Sequence, residues 1–251
     1  MAEIFTHDLM AYDGIKILQK DNTFRFSLDS LLLGDFITIK PRDRLLLELG
    51  SGNGAILLYL SLKTKIKLIG VDIQKEVVEL AKASVSLNHL DNQIEIFHQD
   101  IKNLHNFFQP SSFDILVSNP PFFKVDGDLM INKNEFLSLS RHEVAITFTE
   151  ILEQAKKLLK TNGSFFFIHR AARLEEIILA LAAKKFVIKK LRFVYTKPKN
   201  EALMILVEAK YNGKTGSMKI MEPLYIYNQE NQYTDETLMI FHLGDEAYDQ
   251  K

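Results

Sequence analysis

From residue 44 onward, short apolar runs alternate with stretches of helical period. Arg44–Leu49 (RLLLEL), Lys67–Asp72 (KLIGVD), Ile94–His98 and Phe113–Ser118 read as strands. Ala55–Lys63 and Lys75–Leu87 read as helices, the second with Val77, Val78, Ala81 and Val85 on one side, and a short helix is expected near Ile101–Phe107. After a polar stretch, Lys124–Arg141, the alternation resumes with helix Thr149–Lys160, strand Ser164–His169 and helix Arg173–Lys184. Strands Val187–Tyr195 and Leu203–Ala209 follow, joined by a turn-rich link around Pro198. Asn162-Gly163 is expected to stop the Thr149 helix as a C-cap. Buried strands alternating with helices predict an α/β fold, a mostly parallel seven-stranded sheet with helices on both faces. The last two strands have no helix between them, so one antiparallel strand is expected near the C-terminal end. The expected organisation is an N-terminal lead-in (1–43), an α/β domain (44–211) and a C-terminal extension (212–251) packed on that domain.

Composition changes this picture little. With 251 residues, 47% hydrophobic and 25% charged, the chain can fill a sizeable core. It has no cysteine, which excludes disulfides, zinc–thiolate sites and cysteine nucleophiles. The start, MAEIFTHDLM, lacks a basic-then-apolar signal pattern, and no apolar run has membrane-span length, so a soluble cytoplasmic protein with no membrane association is expected. Charge is more informative. The net charge of −1 hides twelve Lys and Arg between Lys156 and Lys199, against only Glu175 and Glu176. Between Glu222 and Asp249 stand seven acidic residues and no Lys or Arg. Two balanced solvated faces would explain this, and so would a basic surface that meets phosphates.

Four strand ends carry candidate chemistry. Glu48-Leu49-Gly50-Ser51-Gly52-Asn53-Gly54 joins the first strand of the domain to its first helix, and glycines there permit a tight turn and close approach of a ligand. The spacing is G-x-G-x-G, which lacks both the G-x-G-x-x-G of dinucleotide binders and the Gly-Lys-Ser/Thr of a P-loop. Asp72 ends the second strand, where a carboxylate can accept hydrogen bonds from two ribose hydroxyls or cap the next helix. Asp100 ends the third and can accept from an adenine amine, with Ile73 and Ile101 as apolar walls; a helix cap is the other reading. The fourth strand runs into Asn119-Pro120-Pro121-Phe122-Phe123, and paired prolines continue neither helix nor central strand. Ligand crevices of open α/β sheets lie outside the carboxyl ends of the strands, where all four groups fall.

This set resembles the class I S-adenosylmethionine-dependent methyltransferases, whose fold is Rossmann-like. Gly50–Gly54 is similar to their methionine-side glycine loop, Asp72 to their ribose-binding acid and Asp100 to their adenine partner. Asn119-Pro120-Pro121-Phe122 resembles the N-P-P-[FY] signature of enzymes that methylate planar amide or exocyclic amine nitrogens. The resemblance implies S-adenosylmethionine as cofactor, no metal, and cofactor contacts from Glu48, Gly50, Gly52, Gly54, Asp72, Ile73, Asp100, Ile101 and Asn119. Asn119, Pro120 and Phe122 are the expected catalytic residues. An aromatic amine is a poor nucleophile, and acceptors at the Asn119 side chain and the Pro120 carbonyl favour its pyramidal form while Phe122 stacks on the ring.

Further segments resemble the bacterial methyltransferases that act on the exocyclic amine of adenine beside the anticodon of valine tRNA. They are Phe24–Leu33, Ser140–Glu143, Ile168–Leu174, Phe193–Tyr195, Asn200–Ala202 and Pro223–Tyr227. That resemblance implies tRNA as partner, with Phe26, Asp29, Arg141, Arg170, Arg173, Lys189 and Lys190 as candidate RNA contacts, and a monomer is favoured. Arg141 pairing with Glu143, and Arg170 or Arg173 with Glu175 or Glu176, are the plain alternatives. Methylation of ribosomal RNA or DNA amines, or of a release-factor glutamine, are the neighbouring activities. A non-catalytic module that binds S-adenosylmethionine and RNA is the reading from another class.

Overall fold

The computed structural model describes residues 4–9, 12–20, 27–120 and 146–241. The lead-in supplies a separate antiparallel hairpin, β1 (Ile4–Leu9) with β2 (Tyr12–Lys20), and then helix α1 (Leu28–Phe36). The chain continues through β3 (Leu45–Leu49), α2 (Ala55–Lys63), β4 (Lys67–Asp72), α3 (Lys75–Leu87) and β5 (Ile94–His98). A 3-10 turn, Ile101–Asn103, leads into α4 (Leu104–Phe107), β6 (Phe113–Ser118), α5 (Phe148–Leu158) and β7 (Leu159–Arg170). A second 3-10 turn, Ala171–Arg173, precedes α6 (Leu174–Ala183), β8 (Phe186–Tyr195) and β9 (Ala202–Tyr211). The extension adds β10 (Lys219–Ile220), β11 (Leu224–Tyr225) and α7 (Asp235–Phe241). No helix among the described residues is long and apolar enough to cross a membrane.

The main sheet has the order β10-β8-β9-β7-β6-β3-β4-β5, with β11 also paired to β8. The seven long strands are those expected from the sequence, and β9 is the antiparallel one, against both β7 and β8. The inner strands are largely apolar because both faces are covered. Leu46, Val117, Phe166 and Ile168 pack under α1, α2 and α3, while Leu47, Leu49, Leu116, Phe165 and Phe167 pack under α5 and α6. Each fully buried side chain of this size contributes about 1.5–3 kcal/mol.

Strand order fixes where a ligand can bind. From β3 the chain moves outward to β4 and β5, then returns to the other side of β3 with β6 and continues to β7. The connections after β3 and β6 thus diverge, opening a crevice at their carboxyl ends. The row Gly70–Glu48–Val117–Phe166 runs straight across β4, β3, β6 and β7, so the ends of these strands are level.

The lead-in is tied to this frame by side chains. Ser84 and Asn88 of α3 accept hydrogen bonds from the backbone of Leu18 and Lys16 (both 2.9 Å), and Asn88 Nδ2 donates to Lys16 O (2.6 Å). Lys63 of α2 donates to the carbonyls of Gly34 and Asp35 at the end of α1 (3.2 and 2.6 Å). A cation is favoured there by the partial negative charge of a helix C-terminus. Those contacts hold α1 over the crevice.

One expectation is corrected. Asn162-Gly163 does not cap a helix; α5 ends at Leu158, and the pair lies inside β7. Pairing jumps from Phe113–Leu159 to Ile115–Ser164, so four residues of β7 stand opposite Asp114 alone, with Asn162 left-handed (φ 63°). A left-handed Asn followed by Gly serves a strand bulge as well as a helix end, which is why the local signal misled.

Candidate active site

The glycine loop needs its glycines. Gly50, Gly52 and Gly54 have φ of +75°, +52° and +84°, a region that side chains with a Cβ rarely adopt. Gly50 and Ser51 both donate to Val71 O (2.9 Å), fastening the loop across to β4. Asp72 locks it from the other side: Oδ2 accepts from Gly52 N (3.0 Å) and Oδ1 from Gln74 N (2.9 Å). The helix N-cap is Gln74, so Asp72 braces the loop and the turn before α3 rather than capping the helix itself. Burial raises the Asp72 carboxyl above its ordinary range, opposed by the amides that it accepts from.

Three polar atoms of this segment are buried without a partner among the described residues: Glu48 Oε2, Ser51 Oγ and Asn53 Nδ2. A buried polar group left unpaired costs about 1–3 kcal/mol, and more when charged. Burial pushes the Glu48 carboxyl well above the usual range, and the negative Asp72 nearby adds to it. Above Gly52 the space is open, since an added Cβ would meet nothing within 4 Å. An acid, a hydroxyl and an amide around an open glycine turn suit a ligand end that bears both an ammonium and a carboxylate. Ser51 and Asn53 were not picked out from the sequence; their signal was that they fill the variable positions between the glycines.

Along β4 and β5 the site turns apolar. Ile73 is 37% exposed, a large apolar side chain left at water directly after Asp72. Ile101 approaches the loop, lying 3.9 Å from where a Cβ on Gly50 would stand. Between them Asp100 is half-buried; its Oδ1 accepts from Lys102 N (2.9 Å), the cap seen as one reading of that residue. Oδ2 has no partner among the described residues.

Across the crevice, Ser118 is fully buried and donates to Leu49 O (3.0 Å), clamping the ends of β6 and β3 together. Asn119 follows, and its Nδ2 donates to Ser30 Oγ of α1 (3.4 Å). With the amide nitrogen committed, the carbonyl Oδ1 is the end left to accept, and it has no partner among the described residues. Pro120 is buried. Pro121, Phe122, Phe123, Phe26 and Arg141 lie outside the described residues. Ser30 was quoted within a sequence segment but given no role, because a serine inside an apolar helix carries no local signal.

Asp29 joins this edge from the first turn of α1; burial raises its carboxyl and the positive Arg170, at the end of β7, opposes that. The neighbouring His169 is 1% exposed and its Nδ1 accepts from Arg170 N (2.8 Å). Burial, with Arg173 nearby, lowers the His169 pKa to about 4. Arg173 makes the ion pair weighed from the sequence, with Glu176 (2.8 Å). Lys189 and Lys190 are not gathered here. They lie on β8, three strands from β6, where Lys189 holds the carbonyls of Lys214 and Gly216 (2.5 and 2.9 Å) and Lys190 donates to Thr38 Oγ1 (2.8 Å). Among the described residues, no group of three or more His, Asp or Glu side chains is arranged to hold a metal.

His169 predicts a pH dependence. Its folded pKa lies below the unfolded value of about 6.5, so as pH falls the unfolded chain takes up the proton first. The stability that neutral His169 provides is present above about pH 6.5 and lost as pH falls toward 4, about 3 kcal/mol in all. Urea denaturation of the wild type and His169→Gln should show a stability gap that narrows over this range. A gap that stays constant contradicts the assignment.

A crevice at the switch point, a glycine loop braced by an acid and an amide at the end of the facing strand lie at one edge of a Rossmann-like sheet. Residues 42–220 match the family model described as a methyltransferase domain, and the chain belongs to that family. A Phocaeicola vulgatus protein named tRNA1(Val) (adenine(37)-N6)-methyltransferase is 28% identical over 73% of this chain and 76% of its own length. One of the same name from Tolumonas auensis is 26% identical over 88% of each chain. Among solved structures, a predicted O-methyltransferase from Agrobacterium tumefaciens superposes with a TM-score of 0.66 at 18% identity, covering 85% of this chain and 95% of that one. P. horikoshii TYW2 in complex with MeSAdo does so with a TM-score of 0.59 at 11% identity, covering 85% and 73%. These two likenesses speak for the fold.

Proposed function

We propose that the protein transfers a methyl group from S-adenosylmethionine to the exocyclic N6 amine of an adenine in tRNA, the adenine beside the anticodon of valine tRNA. The observation that carries this reading is Asn119 at the end of β6, its amide nitrogen held by Ser30, across from a glycine segment whose buried Glu48, Ser51 and Asn53 atoms are unpaired among the described residues. The names of the relatives support the RNA part of it.

Bound S-adenosylmethionine supplies an electrophilic methyl on a sulfonium sulfur. Glu48 accepts from the ammonium of its amino-acid end, and Ser51 and Asn53 donate to the carboxylate, which satisfies the three buried atoms at once. Gly50, Gly52 and Gly54 let the backbone approach. Asp72 accepts from the ribose hydroxyls, Ile73 and Ile101 enclose the adenine, and Asp100 accepts from its amine. On the other side, Asn119 Oδ1 and the Pro120 carbonyl take the two hydrogens of the target amine, which favours a nitrogen with an available lone pair and stabilises the positive charge that develops on it. Phe122 stacks on the target base. As the N–C bond forms the S–C bond breaks and leaves the neutral thioether S-adenosylhomocysteine, and no strong base is required because the cationic nitrogen then gives its proton to solvent.

An unpaired anticodon-loop adenine costs little to present. Arg170 supplies positive charge for the backbone at this edge, and Phe26, Asp29, Arg141, Arg173, Lys189 and Lys190 are assigned to the wider RNA surface. In this reading residues 44–211 are the catalytic domain, the lead-in and extension complete it, and the protein works without a metal in the cytoplasm as a monomer.

Ser30 acts through Asn119 as a positioning residue. Ser30→Ala is expected to lower kcat about fivefold to tenfold, the loss of one modest hydrogen bond, with the KM for cofactor unchanged. Ser30→Thr, which keeps the hydroxyl, should restore most of it; equal loss in both variants would point to packing alone. The reading as a whole is tested by a labelled-methyl assay with total tRNA, ribosomal RNA and protein extract offered side by side. Label confined to tRNA is expected, and label confined to protein would overturn it.

A further inference from the structure

At the amino ends of β3 and β6, away from the crevice, lies a cleft of about 400 Å³ walled by Lys40, Arg42, Asp43, Asp114, Lys160 and Lys210. The bulge of β7 forms one side of it, and the segment between α1 and β3 forms the other. The acids of the cleft are already engaged. Asp114 accepts from Arg44 N and Leu45 N (2.9 and 3.1 Å) and from Lys160 Nζ (2.7 Å). Asp43 Oδ2 accepts from Lys40 N (2.7 Å). Beneath them the buried Glu208 is shared by Ser164 Oγ (3.0 Å), Lys190 (3.7 Å) and Lys40 (4.0 Å).

The cations are left in excess. Lys210 Nζ donates to the carbonyl of Asn162 (3.0 Å), with Lys40 within hydrogen-bonding reach, Arg42 close by, and the already shared Glu208 as the acid that opposes their effect. Burial and these two like charges lower its pKa to about 8. Arg42 is exposed and has no ion pair or hydrogen bond among the described residues. Like charges gathered in a partly enclosed polar cleft are stabilised by an anion that accepts from all of them.

We propose that this cleft is a phosphate-binding site, in which one phosphate group accepts from Lys40, Arg42 and Lys210. The group is either free phosphate or a phosphodiester of bound RNA. Ser164, opposite Ile115, marks the level of Lys210, about 13 Å short of Asn119 along the strands and about 10 Å aside across two of them, about 16 Å in all. A folded RNA with a base at Asn119 spans that distance within a few nucleotides. The site does not depend on the methyl-transfer reading.

Two measurements on the full chain test it. In the first, the Lys210 ammonium is followed by NMR of isotope-labelled lysine while inorganic phosphate is added at constant ionic strength, with chloride as control. Phosphate, and not chloride, should raise the Lys210 pKa from about 8 toward the ordinary lysine value. In the second, tRNA affinity and its salt dependence are measured for Lys210→Met combined with Arg42→Ala, with cofactor affinity as the check on folding. If RNA is the source, affinity falls about tenfold and the salt slope drops by about one to two. A phosphate response with unchanged tRNA affinity identifies free phosphate as the occupant. No response to phosphate together with unchanged tRNA affinity overturns the proposal, whatever the enzyme methylates.

Discussion

Asn119→Ala is expected to lower methyl transfer by about a hundredfold to a thousandfold while leaving cofactor affinity nearly intact. The size follows from removing one preorganised hydrogen-bond partner from a developing charge, typically about 3–4 kcal/mol. Asn119 is well suited to that role because it does not have to find its orientation. Ser118 pins the end of β6 to Leu49, and Ser30 holds the amide nitrogen. The loss should therefore appear in kcat with the KM of the cofactor unchanged, the pattern of an interaction made mainly in the transition state. Asn119→Asp keeps an acceptor but brings a charge and cannot donate to Ser30, so its rate should fall between the two. Turnover at the wild-type rate by the alanine variant would remove the acceptor mechanism.

The second large effect is on binding. Asp72→Ala is expected to weaken the cofactor about a hundredfold, measured by calorimetry. Two backbone amides, Gly52 N and Gln74 N, lose their acceptor at once, at about 1–3 kcal/mol for each group left unpaired. The loop that they steady carries three left-handed glycines, and beyond Asp72 it is held by the amides of Gly50 and Ser51 on Val71 O. The ribose loses its partner too. Asp72→Asn retains an oxygen for one amide and should lose less. Unchanged affinity in Asp72→Ala would refute both the brace and the ribose contact.

The long strands were legible because the inner ones carry apolar runs such as Leu45-Leu46-Leu47, Ile115-Leu116-Val117 and Phe165-Phe166-Phe167-Ile168, as strands covered on both faces do. Glu48 stands out in β3, an acid amid leucines, and there a buried oxygen is left unpaired among the described residues. The hairpin of the lead-in was not legible. Its strands are secured by Ser84 and Asn88 of a helix some 70 residues away, contacts that no local pattern announces. β10 and β11 are two residues each, too short for any period to register. Asn162-Gly163 was read correctly as a place for left-handed backbone and wrongly as a helix end, since only pairing with β6 decides between them.

The candidate site divides in the same way. Strand-end positions could be read because strand ends follow from the apolar runs: Gly50, Asp72 and Asn119 stand level at one edge, with Asp100 two residues beyond the level of Asp72. Side-chain partners could not. The count of basic residues from Lys156 to Lys199 says nothing of where each charge goes. Lys189 and Lys190 turn out to hold neighbouring segments, while Lys210, outside that count, sits beside Lys40 and Arg42 with the shared Glu208 as its nearby acid.

The central claim is that the crevice delivers its methyl group to one nitrogen of one base. Valine tRNA lacking the modification, incubated with the enzyme and labelled S-adenosylmethionine, can be digested to fragments and nucleosides and analysed by mass spectrometry. The account predicts N6-methyladenosine at the adenine beside the anticodon and nowhere else. Label on a ring nitrogen, on a carbon or on another base would contradict it.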